Sequence, residues 1–130
     1  MDPQQRGLLE LAWTAIEDAG LRTDQLAGTR TGVFLGISGS DYGRLQMQRK
    51  DLLDAYASAG SALSIGANRI SFFFDWRGPS IAIDTACSSS LVAIHNACRS
   101  LRNGEFEIRR CCFKIGSREC YARGRILIQG

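Results

Sequence analysis

The pattern of hydrophobic and polar positions along the chain predicts helices that alternate with strands. Residues 3–20 (PQQRGLLELAWTAIEDAG) place apolar side chains three and four positions apart, which is the spacing of one helix face. Asp2 suits the N-terminal cap of this helix and Gly20 its C-terminal end. Residues 31–37 and 80–85 are short apolar runs, which predicts two buried strands. Strands that alternate with helices are typical of an α/β layered fold.

The same criteria predict further elements with shorter or weaker patterns. They are a helix over residues 63–70, a helix from the residues after Cys87 to about Arg102 that Asn103 and Gly104 close, a helical patch at residues 51–58, and a strand at residues 126–128. An aromatic run from Phe72 to Trp76 follows the helix at 63–70. We interpret this run as core or as a subunit interface.

Composition limits the chain to one modest core and excludes several classes of protein. The chain has 130 residues, 45% of them hydrophobic, and it lacks the run of about 18 apolar residues that a membrane span needs. The first residues lack the apolar stretch of a signal peptide, so we expect a cytoplasmic protein with no membrane partner. Five cysteines without CxxC spacing predict reduced thiols and no metal site.

The positive charge of the chain is concentrated at its end. Residues 1–107 carry 10 basic and 12 acidic side chains, whereas residues 108–130 carry 6 basic and 1 acidic. This last segment also holds three of the five cysteines and has no clear helix or strand period. No nucleic-acid motif accompanies the basic residues, so we expect no nucleic-acid partner. The sequence therefore divides into residues 1–107 and an atypical basic tail, residues 108–130.

The stretch DTACSSSL, residues 84–91, carries the clearest chemical signal. It places Cys87 between a strand and a helix that begins with serines, which is the arrangement of a nucleophile elbow. Unpaired N–H groups and the positive end of the dipole at a helix N-terminus favour a reactive thiolate and can face an oxyanion. The three serines can satisfy the first-turn donors of this helix. Cys87 is the candidate nucleophile, and an inert buried cysteine is the alternative.

The single histidine of the chain does not suit the role of base for Cys87. His95 follows eight residues later on the same predicted helix, a rise of about 12 Å, whereas hydrogen bonds reach about 3 Å. We interpret His95 as a structural residue. A cysteine hydrolase would need a nearby His–Asp pair, which the chain does not supply. The Gly-rich residues 36–43 (GISGSDYG) match no nucleotide-binding pattern, so no cofactor site is predicted.

Five ordered blocks of the sequence resemble the ketosynthase (beta-ketoacyl synthase) domain of modular type I polyketide synthases. They are MDPQQR, WTAIEDAG, TGVFLGIS, SIGANRISFFFDWRGPS and DTACSSSLVAIHNACRSLRNGE, which together cover residues 1–107 almost continuously. The resemblance implies the N-terminal half of a thiolase-like layered αβαβα fold. It also implies a homodimer in the intact domain, paired where the SIAID strand lies. Animal-type fatty acid synthase ketosynthases are similar around the cysteine and stay an alternative.

The resemblance further implies a reaction and its partners. Cys87 would accept an acyl chain as a thioester from an acyl carrier protein, with its own N–H as one oxyanion donor. A decarboxylative Claisen condensation with a malonyl-type extender would follow. The chain would bind no cofactor directly, because the acyl thioester substrates are carried on the phosphopantetheine of the carrier protein.

Departures from the family pattern limit these expectations. The catalytic histidines and the lysine of the family lie in HGTGT-like and NxGH-like blocks, which this sequence does not contain. We therefore expect the chain alone to be an inactive, truncated structural or dimerising piece, in which self-acylation of Cys87 requires a formed elbow. An incomplete layer also predicts poor solubility. After Glu107 the charge, the cysteine content and the periodicity of the sequence change together. We interpret this as a change of reading frame near residue 108, and resequencing that finds one continuous frame would contradict it.

Overall fold

The computed structural model describes residues 1–39, 41–48 and 60–105, which form helices on both sides of a short parallel sheet. The elements of these residues, in chain order, are α1 (Pro3–Asp18), α2 (Thr23–Leu26), β1 (Val33–Gly36), α3 (Asp41–Gln48), α4 (Leu63–Phe73), β2 (Ser80–Ile83), a 3-10 turn (Ala86–Ser88) and α5 (Ser89–Arg102). The predicted elements at 51–58 and 126–128 and the tail 108–130 lie outside the described residues, so they stay predictions.

The two ends of α1 confirm the caps that the sequence predicts. At the N-terminus, Oδ1 of the buried Asp2 accepts a hydrogen bond of 2.8 Å from the N–H of Gln4. At the C-terminus, Gly20 takes a left-handed conformation with φ of 64°, and its N–H bonds to the carbonyl of Glu17. An N–H in the first turn has no partner within the helix, and neither does a carbonyl in the last turn. These two residues therefore set where α1 begins and ends.

A buried glutamine fastens α1 to α4. The side chain of Gln5 donates a hydrogen bond of 3.0 Å to the carbonyl of Ala62, just before α4, and accepts one of 2.9 Å from Nε of Arg69. The N–H of Asp2 also bonds to the carbonyl of Gly60 at 2.7 Å. A buried amide stabilises a fold only when its donors and acceptors are paired. Polar residues of the MDPQQR block therefore link the start of α1 to α4 and to the segment before it.

The sheet carries different helices on its two faces. β1 and β2 pair in parallel, with Val33 opposite Ser80 and Gly36 opposite Ile83. The side chain of Leu35 lies against Gly66 of α4, whereas the neighbouring Gly36 has the start of α5 above it. Successive strand residues point to opposite faces, so α4 and α5 cover opposite sides. The buried core on the α4 side contains Ile16, Leu26, Val33, Leu35, Ile37, Ala67, Ile70 and Phe74.

The strands are shorter and α4 is longer than the sequence pattern predicts. β2 ends at Ile83 because the chain turns sharply at Ala86, which has a positive φ of 53°. α4 continues through Phe73 and ends where Asp75 takes a left-handed conformation. Apolar periodicity alone did not show this extension, because the three consecutive phenylalanines have no period. The expected alternation of helices with strands is confirmed.

The aromatic run divides between core and surface. Phe74 is buried and stacks on Trp76, with ring centroids 4.8 Å apart. Phe72 and Phe73, by contrast, are 89% and 61% exposed. The core interpretation is therefore confirmed for Phe74. Phe72 and Phe73 lie outside the core, because α4 turns their side chains away from the sheet, and for them the subunit interface stays a prediction. Among the helices of residues 1–39, 41–48 and 60–105, none combines the length and hydrophobicity of a membrane span.

Candidate active site

Cys87 lies on the 3-10 turn that joins β2 to α5, where the sequence predicts an elbow. Its side chain is exposed and is a free thiol. The alternative of a buried cysteine is therefore wrong. Cys98, the other free cysteine of the described residues, is half-buried on α5. Of these two thiols, Cys87 is the more accessible to a substrate.

The turn in front of Cys87 is strained and is held by an acidic side chain. Ala86 has a φ of 53°, a left-handed conformation that is unfavourable for a residue with a Cβ. Its N–H bonds to Oδ1 of Asp84 at 3.0 Å. Such strain is of order 1–3 kcal/mol and persists only where surrounding contacts maintain it. The acidic residue of the DTACSSSL stretch is therefore part of the scaffold of the turn.

Ser88 and Ser89, which follow Cys87, hold the turn and do not cap the helix. Oγ of Ser89 accepts from the N–H of Thr85 at 2.9 Å and donates to the carbonyl of Ala86 at 2.7 Å. Oγ of Ser88 donates to the carbonyl of Thr85 at 2.8 Å and makes no cap bond to α5. The expectation that these serines satisfy the first-turn donors is therefore wrong for Ser88 and Ser89. Their hydroxyls bond backwards because the tight turn brings its own backbone groups closer.

A glycine on β1 allows α5 to begin directly over the sheet. A Cβ at Gly36 would lie 2.7 Å from the backbone nitrogen of Ser90 and 2.8 Å from the carbonyl carbon of Ser89. These distances are too short for any side chain, so only glycine permits this approach. At the level of the sequence, Gly36 is notable only as part of the Gly-rich residues 36–43, for which no nucleotide site is predicted. The available signal was an isolated glycine at the end of an apolar strand, which often marks close backbone contact.

The backbone around Cys87 leaves one amide hydrogen available. Within the described turn, hydrogen bonds engage the N–H groups of Thr85, Ala86, Ser88 and Ser89. The N–H of Cys87 takes part in none of these bonds. An N–H beside the nucleophile is the kind of donor that stabilises an oxyanion. The geometry is thus compatible with attack by the thiol on a carbonyl group.

His95 lies apart from the candidate nucleophile. It is exposed on α5, eight residues after Cys87, and this helical separation corresponds to about 12 Å. The structure therefore agrees that the two side chains do not meet. The structural role of His95 stays a prediction. In residues 1–39, 41–48 and 60–105, no group of three or more His, Cys, Asp or Glu side chains is placed to hold a metal ion.

The sequence around Cys87 matches a known protein family. The model of the family described as beta-ketoacyl synthase, N-terminal domain, matches residues 1–109. A reducing polyketide synthase of Aspergillus oryzae is 59% identical over 105 residues, which are 81% of this chain and 4% of that protein. A phenolphthiocerol/phthiocerol polyketide synthase of Mycobacterium tuberculosis is 52% identical over 108 residues, or 83% of this chain and 6% of that protein. The chain thus spans a small part of these relatives.

Solved structures agree with the sequence comparison. The oxazolomycin ketosynthase domain OzmH KS7 of Streptomyces albus is similar with a TM-score of 0.69 and 42% identity, over 82% of this chain and 18% of that one. The ketosynthase from module 6 of the bacillaene synthase of Bacillus subtilis has a TM-score of 0.70 and 39% identity, over 82% and 17%. Ketosynthase domains have the thiolase-like αβ fold. The expected fold class is therefore confirmed for the N-terminal region.

Proposed function

The chain belongs to the beta-ketoacyl synthase family, as part of the N-terminal domain of a polyketide synthase ketosynthase, and on that premise we propose that Cys87 takes up the acyl chain. One observation carries the proposal: an exposed thiol stands on a strained, multiply hydrogen-bonded turn between β2 and α5. Strain that is maintained by specific contacts is characteristic of functional sites.

The proposed step is a transfer between two thioesters. Sγ of Cys87, as the thiolate, attacks the carbonyl carbon of an acyl group on the phosphopantetheine of an acyl carrier protein. The N–H of Cys87 faces the oxyanion of the tetrahedral intermediate. The bond from the carbonyl carbon to the sulfur of the carrier then breaks, and the leaving thiolate takes up the proton that the Cys87 thiol gave up. The product is an acyl thioester on Cys87 and a free carrier thiol.

Condensation would follow loading in the intact domain. There, the acyl group would be joined to a decarboxylating malonyl-type extender on a carrier protein. This chain holds one histidine, His95, whose place on α5 does not serve Cys87. The described residues therefore support the loading half of the reaction, and we expect the chain alone not to condense. The polyketide assignment rests on relatives whose names are those of polyketide synthases, which disfavours the fatty acid synthase alternative.

The same proposal includes a paired subunit and a compartment. Ile81 of β2 is 42% exposed, so the strand that leads to Cys87 has an apolar group available for contact with a second copy. A homodimer formed along this strand would place two Cys87 sites close to its interface.

Reduced cysteines suit the cytoplasm, where we expect the protein to work.

Competition between acylation and alkylation tests the loading step. The purified chain is incubated with an acyl N-acetylcysteamine thioester and iodoacetamide, and the modified cysteines are mapped by mass spectrometry. We expect acylation at Cys87 and protection of Cys87 from alkylation, with Cys98 unaffected. Cys87→Ser should abolish acylation, whereas Cys98→Ser should not change it. Equal labelling of all the cysteines would contradict the proposal and favour a structural or dimerising piece.

A further inference from the structure

A buried serine joins the two sides of the turn that carries Cys87. Ser89 is the first residue of α5 and is 6% exposed. Its hydroxyl accepts a hydrogen bond from the N–H of Thr85 and donates one to the carbonyl of Ala86. Both partners precede Cys87, whereas Ser89 follows it. The two bonds therefore close a ring of backbone around the candidate nucleophile.

We propose that Ser89 is a positioning residue that holds Cys87 in its reactive orientation. The proposal rests on the proposed function of Cys87 and adds a second residue to it. Ala86 has an unfavourable positive φ, and its carbonyl also accepts the backbone N–H of Ser89. A hydroxyl at position 89 therefore fixes the orientation of the peptide unit that leads directly into Cys87. Without it, the turn can relax and the thiol can rotate away from its place before α5.

Gly36 gives Ser89 its place. The backbone of Ser89 and Ser90 lies against Gly36 at distances that leave no room for a Cβ. Contact with β1 therefore fixes the start of α5, and the hydroxyl of Ser89 transmits that position to the turn. The neighbouring Ser88 differs in both respects, because it is exposed and its hydroxyl bonds to Thr85. Burial and a bond to the strained Ala86 thus distinguish Ser89 from Ser88.

The test compares two buried serines of the same helix. Ser89→Ala removes the two turn bonds, whereas Ser100→Ala removes a hydroxyl that bonds to Glu105 near the far end of α5. The rate of alkylation by iodoacetamide is measured separately at Cys87 and Cys98 in the full chain. Cys98 serves as the internal control, because unfolding of α5 would expose it. We expect Ser89→Ala to lower the Cys87 rate about tenfold, the equivalent of losing its hydrogen bonds, with Cys98 unchanged.

Three results with these serine variants would overturn the proposal. The first is a Cys87 rate that is the same in Ser89→Ala and in the unchanged chain. The second is a parallel rise at Cys87 and Cys98 in Ser89→Ala, which would mean that Ser89 holds α5 in general. Ser100→Ala should leave the Cys87 rate unchanged, and an equal loss there would also contradict a specific role of Ser89.

A glycine pair provides a test that does not remove a hydroxyl. Gly36→Ala should push the start of α5 away and lower the Cys87 rate in the same manner. Gly66 lies on α4, which covers the opposite face of β1. A Cβ there would meet only side-chain methyl groups, the nearest being that of Leu35 at 3.2 Å, so Gly66→Ala should leave the Cys87 rate unchanged. Equal effects of the two substitutions would contradict the proposal.

Acyl transfer separates the positioning role from the proposed function. If Ser89→Ala slows alkylation of Cys87 while the unchanged chain accepts no acyl group, the proposed function fails and the positioning role stands. If the unchanged chain is acylated and Ser89→Ala is acylated as fast, the positioning role fails alone. Where both hold, Ser89→Ala should lower kcat for loading and leave KM unchanged, because the hydroxyl touches the turn and not the substrate.

Discussion

Single residues at the turn after β2 have functions that their chemical type alone does not suggest. Asp84 binds a backbone N–H, Ser89 bridges the turn, and Ala86 takes a conformation that is usual for glycine. Each of these roles depends on the position of a residue relative to the backbone. Glycines show the same dependence. Position 36 has no room for a Cβ, whereas position 7 has no atom within 4 Å of where a Cβ would lie. The effect of a substitution is therefore decided by local geometry.

Two glycines at α1 should respond to alanine in opposite directions. Gly7→Ala should stabilise the chain by about 0.5–1 kcal/mol, because position 7 is a helix interior with open space around it. Gly20→Ala should destabilise it by about 1–2 kcal/mol, because φ at position 20 is positive although no atom is near. Urea unfolding of the two variants measures both changes. A stabilising Gly20→Ala would show that the left-handed cap is not formed.

The elements of this fold are joined by polar contacts at their ends. Gln5 links α1 to α4, and the C-terminus of α5 closes through Gly104, with φ of 68°, and Glu105. The N–H of Glu105 bonds to the carbonyl of Ser100, and its carboxylate accepts a hydrogen bond from the hydroxyl of the same serine. This end of the helix confirms the prediction that Asn103 and Gly104 terminate it.

The end of α5 should weaken in acid. The Ser100 hydroxyl, and then the Asn103 amide, lower the pKa of Glu105 below its ordinary value of 4.5. A carboxyl with a lowered folded-state pKa adds stability above its unfolded value and loses it as pH falls through the folded one. The free energy of unfolding should therefore fall below about pH 4.5, modestly because Glu105 is exposed.

Glu105→Gln provides the control for this pH dependence. It should be less stable than the unchanged chain at neutral pH and converge with it in acid, as measured by urea unfolding at a series of pH values. A difference that stays constant from neutral pH into acid would show that the carboxylate charge is not responsible.

The sequence predicted elements well where one local rule decides them. The caps at Asp2 and Gly20 and the closing glycine at 104 follow from short-range geometry, and all three are confirmed. The same is true of the position of Cys87 between strand and helix. The direction of the serine hydroxyls and the closeness of Gly36 to α5 depend on the tight turn and on contacts between distant segments. An isolated glycine in a strand pattern indicates a close backbone approach but not the segment that approaches, so the sequence alone could not identify these contacts.

At the scale of the whole molecule, several large apolar side chains of the described residues are exposed on the surface. Phe72 and Phe73 project from the end of α4, and Leu91 of α5 is 67% exposed. Phe72 and Phe73 are consecutive residues, and exposed apolar groups that stand together promote association. The chain spans 4% to 6% of the length of the polyketide synthases of Aspergillus oryzae and Mycobacterium tuberculosis. The described residues thus have apolar side chains that their own fold does not cover.

The last prediction follows from this division between exposed and buried phenylalanines. The isolated chain should self-associate, and Phe72→Ser should reduce that association with a change in stability within about 0.5 kcal/mol, because the side chain is almost fully exposed. Phe74→Ser changes the same residue type in the core, where Phe74 stacks on Trp76. It should destabilise the chain by about 3–5 kcal/mol and increase association.

Light scattering after size-exclusion chromatography and thermal unfolding measure the two quantities. A monomeric, sharply melting sample of the unchanged chain would contradict the prediction of self-association. Equal destabilisation by Phe72→Ser and Phe74→Ser would contradict the exposure of Phe72 and the burial of Phe74. A smaller oligomer for Phe72→Ser at unchanged stability would instead show that surface contact, and not incomplete folding, limits the solubility of this chain.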